Sequence, residues 1–434
     1  MTIPPKRVLI VPGTSLVGIE ILQSLQSLPG FTVHGAGIDV QAGIAAGFSQ
    51  YDYLPRVDDE DFASEIQALV ERDSIDYVYP ANDLAISAFS ELGFNAASLI
   101  SHPAETVRIA GSKIATHSMF AAEQIVPARV TGSEGAHFPL FSKPDVSHSS
   151  IGAEVVPDQA ALDALIAGFS DFWQTHLVTE LLTTDEVTVD CFSTAGQGLV
   201  YVAARTRDVA DNGVSVVTTD YRDDALVRMA RLIDNRLSFT GPWFFQAKRN
   251  DAGDFRLMEI GARLAGASGI RRAQGVNLAQ LAILAADGLP VAVYETSFSF
   301  VSRRVDGVPQ VESDEPFEAL YVDLDDTLIL NGAVNVPVEA LARHVKSLGL
   351  YVAIITRHAK DPYATLRYFQ LDGLFDDVFH LMNGEPKSSF IRDGRNSVLL
   401  DDSFSERISC SARTNILAVD ASSAHQVKRL FDGD

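Results

Sequence analysis

The residues best suited to chemistry in the middle of the chain lie on two apolar runs, 244–249 and 255–263, joined by a polar turn. The turn, Asn-Asp-Ala-Gly-Asp, predicts a β-hairpin. A loop of four residues, 251–254, would place Gln246 opposite Glu259. The two-residue period of a strand puts four residues of the second run on one face: Leu257, Glu259, Gly261 and Arg263.

A carboxylate and a guanidinium among apolar neighbours are costly to bury unless they are paired or bound to a ligand. The hairpin is therefore either a salt-bridged surface element or part of a site, and the rest of the chain has to decide between the two.

A second group of candidates follows apolar runs in the last part of the chain. Its members are Asp323 and Asp325 within 322–328, Thr356, Lys387 and the pair Asp401-Asp402. Lys387 opens a predicted helix, and the others stand where predicted parallel strands end. Open α/β sheets place their sites at the carboxyl ends of their strands. The alternative for the aspartates is a metal-binding surface without catalysis.

The elements that must position these residues follow from hydrophobic periodicity. Strands at 7–13, 32–38 and 75–79 alternate with helices at 16–28 and 61–72, which predicts an open parallel sheet over the first hundred residues. Gly13 and Gly18 have P-loop spacing, but Ile19-Glu20 stand where Lys and Ser/Thr are required, so a plain strand-to-helix turn is predicted.

From residue 103 onward the pattern changes. A strand at 138–144 contains Lys143 and runs into a serine-rich loop at 145–152. Antiparallel strands are predicted at 186–192 and 199–203. The polar stretch 298–316 is typical of an inter-domain linker. Five further strands separated by helices predict a second α/β unit: 321–324, 351–355, 377–381, 397–400 and 415–419.

Length and composition set limits on the function. A chain of 434 residues predicts two or three domains. A net charge of −23 argues against wholesale binding to nucleic acid or to an anionic membrane. Cys191 and Cys410 match neither a zinc site nor a disulfide framework. Without a signal peptide or an apolar run of membrane-spanning length, a soluble cytoplasmic protein is expected.

Seven residues occur in the order and context of the ATP-grasp superfamily. They are Lys113, Lys143, Glu180, Glu186, Gln246, Glu259 and Arg263. The resemblance covers residues 5–295 and is nearest to the branch shared by the carbamoyl-phosphate synthetase large subunit and carboxylate–amine ligases. In that branch a domain resembling residues 7–101 precedes the nucleotide-binding halves.

The resemblance implies an ATP site. Lys113 and Lys143 are compact cations suited to triphosphate oxygens. The loop 147–152 would fold over the phosphates, and Glu180 would read the adenine edge. Glu186 would take the ribose hydroxyls. Further nucleotide-binding residues implied by the resemblance are Ser149, Ser150 and Gly152 in the loop, and Leu181 and Leu182 through their backbone.

The resemblance also implies Mg²⁺ on Gln246 and Glu259, because Mg²⁺ is a hard ion that prefers oxygen ligands. Arg263 would stabilise the transferring γ-phosphoryl group, and Arg205 and Arg207 resemble strand arginines near it. The family pattern has Asn where Gly261 stands, which leaves the number of Mg²⁺ ions open.

The C-terminal residues resemble the DxDxT signature and later motifs of haloacid-dehalogenase (HAD) phosphatases. Asp323 would be the nucleophile and Asp325 the general acid/base. Thr356 and Lys387 would bind the phosphoryl group. Asp401 and Asp402, together with Asp323 and Asp325, are the expected Mg²⁺ ligands. The gaps between motifs are too short for a cap domain, so the capless group is expected.

The predicted fold class is α/β and α+β. It comprises a pre-ATP-grasp parallel sheet at 1–104, an ATP-grasp domain at 105–300, a linker at 301–318 and a Rossmann-like HAD domain at 319–434. The expected function is an ATP-dependent carboxylate–amine ligase, acting through an acyl phosphate, fused to a Mg²⁺-dependent phosphatase. The expected partners are a small carboxylate, an amine and a phosphate ester, and the resemblance is compatible with a homodimer.

Two alternatives remain open from the sequence. The first half could be an ATP-grasp kinase or a carboxylase-like enzyme whose product the HAD half dephosphorylates. Alternatively, one half could be a non-catalytic regulatory module, and Gly261 points that way for the ATP-grasp half.

Overall fold

The computed structural model describes residues 5–94, 96–132, 136–147, 151–211, 214–305, 308–413 and 415–432. They pack into two compact units. The first unit comprises Met1–Ala81, Phe94–Ile100 and Gly266–Asp434, and the second comprises Asn82–Gly93 and Ser101–Ala265. The chain therefore leaves the first unit and returns to it. The domain boundaries expected from the sequence stay predictions.

The N-terminal part of the first unit is a five-stranded parallel sheet of order β3-β2-β1-β4-β5. Residues 8–10 of β1 are fully buried, as a central strand covered on both faces requires. The predicted open parallel sheet is confirmed. Its elements are β1 Lys6–Val11, α1 Leu16–Leu25, β2 Phe31–Gly37, α2 Val40–Ala45, β3 Gln50–Tyr53, α3 Phe62–Arg72, β4 Tyr77–Pro80 and β5 Ser98–Leu99.

The second unit contains two antiparallel sheets, of order β6-β9-β7-β8 and β15-β14-β10-β11-β13, with β12 paired to β13. Its elements are α4 Asp83–Leu92, α5 Ala104–Gly111, α6 Lys113–Phe120, β6 Arg129–Val130, β7 Leu140–Pro144, β8 Glu154–Val156, α7 Gln159–Ala167, α8 Phe172–Thr175, β9 His176–Glu180, β10 Val187–Thr194, β11 Gly198–Thr206, β12 Val209–Asp211, β13 Val214–Tyr221, α9 Asp224–Arg236, β14 Gly241–Arg249 and β15 Phe255–Gly261.

The rest of the first unit holds a second five-stranded parallel sheet, of order β22-β21-β18-β23-β24. Its elements are α10 Gly269–Ala273, α11 Leu278–Ala286, β16 Val301–Val305, β17 Val308–Glu312, β18 Ala319–Val322, β19 Ile329–Leu330, β20 Ala333–Val334, α12 Val336–Ser347, β21 Tyr351–Thr356, α13 Pro362–Tyr368, β22 Asp377–His380, β23 Ser397–Leu400, α14 Phe404–Ser411 and β24 Ile416–Val419, with 3₁₀-helices at Lys387–Phe390, Ala421–Ser423 and Val427–Phe431.

The segment expected to be a polar linker is a paired hairpin. Strands β16 and β17 pair from Val301↔Glu312 to Val305↔Val308, and Val311 is fully buried. The neighbouring Phe298 and Phe300 belong to the same apolar core as the C-terminal sheet. The charged residues that suggested a linker lie between these apolar positions. The few apolar side chains of the segment therefore anchor it to the core.

A buried polar seam joins the two sheets of the first unit. Arg272 on α10 donates to Glu20 on α1 through Nε at 2.8 Å, and both side chains are almost fully buried. Asn277 Nδ2 donates to the Ser24 carbonyl and to Asp420 Oδ2, at 2.9 and 3.0 Å. Charges buried this deeply persist only when they are paired, so the seam holds the N-terminal helix to the C-terminal elements.

No helix among the described residues is both long enough and apolar enough to cross a membrane. The two cysteines are buried and carry no disulfide.

Candidate active sites

The hairpin of β14 and β15 places Gln246 directly opposite Glu259, as predicted. The route to this pairing differs from the prediction. Arg249 pairs with Phe255, so the connection has five residues, Asn250 to Asp254, rather than four. One extra residue in β15, Met258, then shifts the register between Gln246 and Ala247. The longer turn and the bulge offset each other.

The bulge corrects the predicted face of β15. Leu257 lies in the apolar core together with Ile260 and Ala262, and does not share a face with Glu259. A one-residue bulge reverses the alternation on either side of it, which explains the switch. The carbonyl of Met258 at the bulge accepts a hydrogen bond from Lys143 Nζ at 2.8 Å.

Gly261 is enclosed by Phe244, its partner across the hairpin. A Cβ added at Gly261 would lie 2.1 Å from Phe244 Cε1, far inside van der Waals contact. The Arg263 guanidinium carbon lies 5.3 Å from the centre of the same ring. The aromatic ring therefore occupies the space that an Asn side chain at position 261 would need.

Lys143 is the buried cation at the centre of the hairpin site. Burial lowers its pKa to about 8, and the field of Glu259 opposes this shift. Lys113, Glu186 and Lys248 also act on its charge. The structure thus brings together four residues predicted from the sequence and adds Lys248. Lys248 lies two positions after Gln246 on the same strand, so strand alternation could have identified it.

Lys113 opens α6, and its Nζ donates to the carbonyls of Ser147 and Asp145 at 2.8 and 3.3 Å. Lys113 and Lys143 line a pocket with Pro127, Leu177 and Leu257. Two lysine ammonium groups beside one pocket are suited to an anionic group.

The structure describes the predicted hinge residues and only part of the predicted phosphate loop. Glu180 Oε1 accepts from the Ala128 backbone N–H at 2.9 Å, Leu181 is half-buried and Leu182 is buried. Gly152 has φ +74°, which favours glycine. Ser149 and Ser150 lie outside the described residues.

Arg207 forms an ion pair with Glu186. Arg205, expected beside it near a phosphoryl group, is instead fully buried, with Nε 2.9 Å from Asp190 Oδ2. The strand β11 ends at Thr206, so the alternation that would align the two arginines does not extend to Arg207. The Arg205 guanidinium is thus held by a carboxylate, and its expected place near a phosphoryl group stays a prediction.

Arg263 donates to both carboxylate oxygens of Asp83, at 2.8 and 2.6 Å. Asp83 stands at the start of α4 and was not predicted as a site residue. A contact between residues 180 positions apart leaves no local signal in the sequence. The guanidinium predicted to face a phosphoryl group is thus held by a carboxylate.

A second candidate site lies at the carboxyl edge of the C-terminal sheet. Asp323 follows β18, Asp401 follows β23 and Lys387 opens a 3₁₀-helix. Lys387 Nζ donates to Asp323 Oδ1 at 2.8 Å and to Asp401 Oδ2 at 2.6 Å, and all three side chains are buried. Three of the predicted residues therefore form one hydrogen-bonded group.

The electrostatics of this group follow from its burial. Burial raises the pKa of Asp323 to about 7, although Lys387 lowers it. Burial and the neighbouring Asp401 raise the pKa of Asp402 to about 6. Oxygen atoms of Asp323, Asp401 and Asp402 all lie within 4.8 Å of one another, a spacing that suits a hard divalent cation.

Thr356 and Asp325 lie at the same edge with different surroundings. Thr356 is fully buried at the end of β21, and its Oγ1 accepts from the His358 backbone N–H at 3.1 Å. The Asp325 carboxylate lies outside the group of three and contacts the His358 ring. His358 was not predicted, although its position two residues after a strand end was a usable signal.

Comparisons with known proteins concern the part of the chain that contains the hairpin. Residues 172–308 match the sequence model of the family described as "ATP-grasp in the biosynthetic pathway with Ter operon". No curated protein sequence matches the chain.

Three solved structures illustrate the likeness in fold. A biotin carboxylase–β,γ-ATP complex from Campylobacter jejuni is 12% identical, with a TM-score of 0.56 over 69% of this chain and 75% of that one. N5-carboxyaminoimidazole synthetase from Staphylococcus aureus complexed with ADP is 13% identical, with a TM-score of 0.54 over 70% and 83%. An L-amino acid ligase from Bacillus licheniformis is 16% identical, with a TM-score of 0.53 over 70% and 81%. At these low identities the structural likeness shows the fold alone, an ATP-grasp-like α/β fold with parallel sheets.

Proposed function

We propose that the chain, which contains an ATP-grasp region, is a bifunctional enzyme. Its first activity joins a carboxylate to an amine at the expense of ATP, and its second hydrolyses a phosphate monoester of the substrate or product. The observation that supports the ligase is the convergence of Lys113, Lys143, Glu186 and Glu259 beside the hairpin. The observation that supports the phosphatase is the bridge of Lys387 between Asp323 and Asp401.

In the ligase reaction the substrate carboxylate attacks the γ-phosphorus of ATP, giving an acyl phosphate and ADP. The amine then attacks the acyl carbon, the C–O bond to phosphate breaks, and an amide and phosphate leave. Lys113 and Lys143 would hold the phosphates, and Glu186 the ribose. The reaction would be accelerated because both reactants are held in one orientation and because fixed positive charges stabilise the transferring phosphoryl group.

The hairpin is proposed to hold one Mg²⁺ ion. Gln246 and Glu259 face each other and offer an amide and a carboxylate oxygen, whereas Phe244 excludes a further side-chain ligand at Gly261. The ion would neutralise phosphate charge. A site with few protein ligands agrees with the habit of Mg²⁺ to keep water and share phosphate oxygens.

In the phosphatase reaction an Asp323 oxygen attacks the phosphorus, and the bond from phosphorus to the alcohol oxygen breaks. Asp325 gives its proton to the leaving oxygen and then takes one from the water that hydrolyses the aspartyl phosphate. Lys387 offsets the charge of the phosphoryl group. Asp323, Asp401 and Asp402 fit a Mg²⁺ ion, which would add to this charge stabilisation.

The ligase is tested by screening carboxylate and amine pairs for ADP release, with mass detection of the products. Glu259→Ala should stop ADP release with the true substrates. ADP formation without an amide, and dependent on bicarbonate or on an alcohol acceptor, would instead favour the carboxylase-like or kinase alternative.

The phosphatase is tested separately with 4-nitrophenyl phosphate and Mg²⁺. Asp323→Asn should abolish hydrolysis, and persistence of hydrolysis would exclude this assignment. A wild-type protein that hydrolyses phosphate esters but never releases ADP would favour a regulatory role for the ATP-grasp half.

A further inference from the structure

His358 makes an unusually complete set of contacts beside the candidate phosphatase site. Its Nδ1 lies 2.9 Å from each carboxylate oxygen of Asp325, and its Nε2 lies 2.9 Å from Thr365 Oγ1. The ionised form of Asp325 can only accept hydrogen bonds, so in that state Nδ1 carries the hydrogen and donates it to Asp325. Both nitrogens of the ring are thereby engaged.

The backbone of His358 is held as firmly as its ring. Its N–H donates to Thr356 Oγ1 at 3.1 Å, and its carbonyl lies 2.7 Å from His380 Nε2. The His358 side chain is 12% exposed, whereas that of Asp325 is 54% exposed. A fixed, largely buried ring thus holds a carboxylate that faces solvent.

An exposed carboxylate without such a partner would populate several rotamers. A general acid is effective only within hydrogen-bond reach of the leaving oxygen. The imidazole, anchored to the same strand end as Thr356, ties Asp325 to the phosphoryl-binding edge of the sheet. Holding the acid in place lowers the barrier only for reactions that need proton transfer.

We propose that His358 is a positioning residue that holds the Asp325 carboxylate for proton transfer to the leaving oxygen of a phosphate ester. The inference rests on the proposed phosphatase function. It adds a specificity consequence: the site is built for esters of alcohols, whose poor leaving groups need an acid, rather than for substrates with good leaving groups.

The test compares kcat/KM for 4-nitrophenyl phosphate, a good leaving group, with that for phenyl phosphate, a poorer one. In His358→Gln the loss for phenyl phosphate should exceed that for 4-nitrophenyl phosphate by about tenfold, part of what a general acid supplies. Asp325→Asn should show the same pattern. His358→Asn, whose amide nitrogen stands near the place of Nδ1, should recover part of the difference.

Thr365→Val is a milder second variant for the case that the histidine variants do not fold. It too should lower kcat/KM more for phenyl phosphate than for 4-nitrophenyl phosphate. Equal losses for both substrates in every variant would reduce His358 to a structural role and overturn the inference. If Asp325→Asn is leaving-group-dependent but His358→Gln and Thr365→Val are not, only the inference fails. If the wild-type protein hydrolyses neither ester, the proposed phosphatase function is wrong, and the inference that rests on it is wrong as well.

Discussion

Phe244 lies across the hairpin from Gly261, and its ring fills the space that any side chain at position 261 would occupy. The absence of an Asn side chain at position 261 is therefore linked to the packing of the hairpin. A change at this position alone would not restore the ligand, because the ring of Phe244 occupies its space.

Gly261→Asn should destabilise the protein, because a new side chain would collide with the Phe244 ring. The expected loss in the free energy of unfolding is about 1–3 kcal/mol, as for other overpacked sites. Combined with Phe244→Ala, Gly261→Asn should cost less than the sum of the two single losses, because removal of the ring makes room for the new side chain. Urea unfolding of the four proteins gives this coupling, and strictly additive effects would contradict the role assigned to the ring.

The same double variant should gain a metal ligand. Titration with Mn²⁺ in the presence of a non-hydrolysable ATP analogue, followed by electron paramagnetic resonance, should show tighter binding than in the wild-type protein. Adding Asp323→Asn to both proteins removes the contribution of the C-terminal carboxylates. Two tightly bound ions in the wild-type hairpin site would contradict the one-ion assignment.

Lys143 predicts how nucleotide affinity depends on pH. With a pKa near 8 in the folded protein, Lys143 is charged below that pH and loses its charge above it. Since a bound triphosphate favours the charged form, affinity should be greatest below pH 7.5 and should fall as pH rises through 8. Calorimetry with a non-hydrolysable ATP analogue measures this, and Lys143→Met should bind about tenfold more weakly, with a flatter pH profile.

Lys387→Met should be strongly destabilising, because it leaves the buried carboxylates of Asp323 and Asp401 without their shared partner. Removing one member of a buried ion pair costs about 3–5 kcal/mol. Lys346→Met is the matched control. Lys346 pairs with Asp376 at the surface, where both side chains are about one-third exposed, and its loss should cost less than about 1 kcal/mol. Equal losses measured by urea unfolding would contradict the burial argument.

His102 predicts a loss of stability in acid. Its Nδ1 accepts from the Thr240 N–H at 2.9 Å and its Nε2 lies 3.1 Å from the Pro242 carbonyl, so the ring is neutral. Burial lowers its pKa to about 4. The unfolded chain binds this proton near pH 6.5 and the folded chain does not, so stability is present above 6.5 and is lost as pH falls toward 4. The loss is on the order of 3 kcal/mol.

His102→Gln should remove this dependence. Denaturant unfolding of both proteins between pH 4.5 and 8 should show a shallower slope for the variant below pH 6.5 and parallel behaviour above pH 7. A difference of slope above pH 7 would point to another group.

The sequence was sufficient for features encoded locally. Both parallel sheets and the existence of the hairpin follow from periodicity and turn residues within short windows, whereas the Gln246–Glu259 pairing arises because the longer turn and the bulge offset each other. The bulge at Met258 was not predictable, because an extra residue leaves the composition of the strand unchanged while it reverses the faces. The expectation that Leu257 and Glu259 share a face of the strand was wrong for that reason.

Long-range partners were also hidden. Arg263 was predicted to face a phosphoryl group, and no residue near it in the sequence indicates that Asp83 is its partner. The partner of Arg205, Asp190 in the neighbouring strand, was likewise not predicted. The C-terminal residues Asp323, Lys387 and Asp401 were found together because each lies at a strand or helix end, where topology alone brings side chains to one edge.

The buried pair of Glu20 and Arg272 has a consequence for biosynthesis. The two residues are 252 positions apart, so at ribosomal rates of 5–20 residues per second the arginine emerges roughly 13 to 50 seconds after the glutamate. During that interval the carboxylate on the first helix lacks its arginine partner, so the N-terminal sheet does not reach its final packing while the next 184 residues, Asn82–Ala265, are being made. The nascent chain therefore carries an unfinished first unit until translation is well past its midpoint.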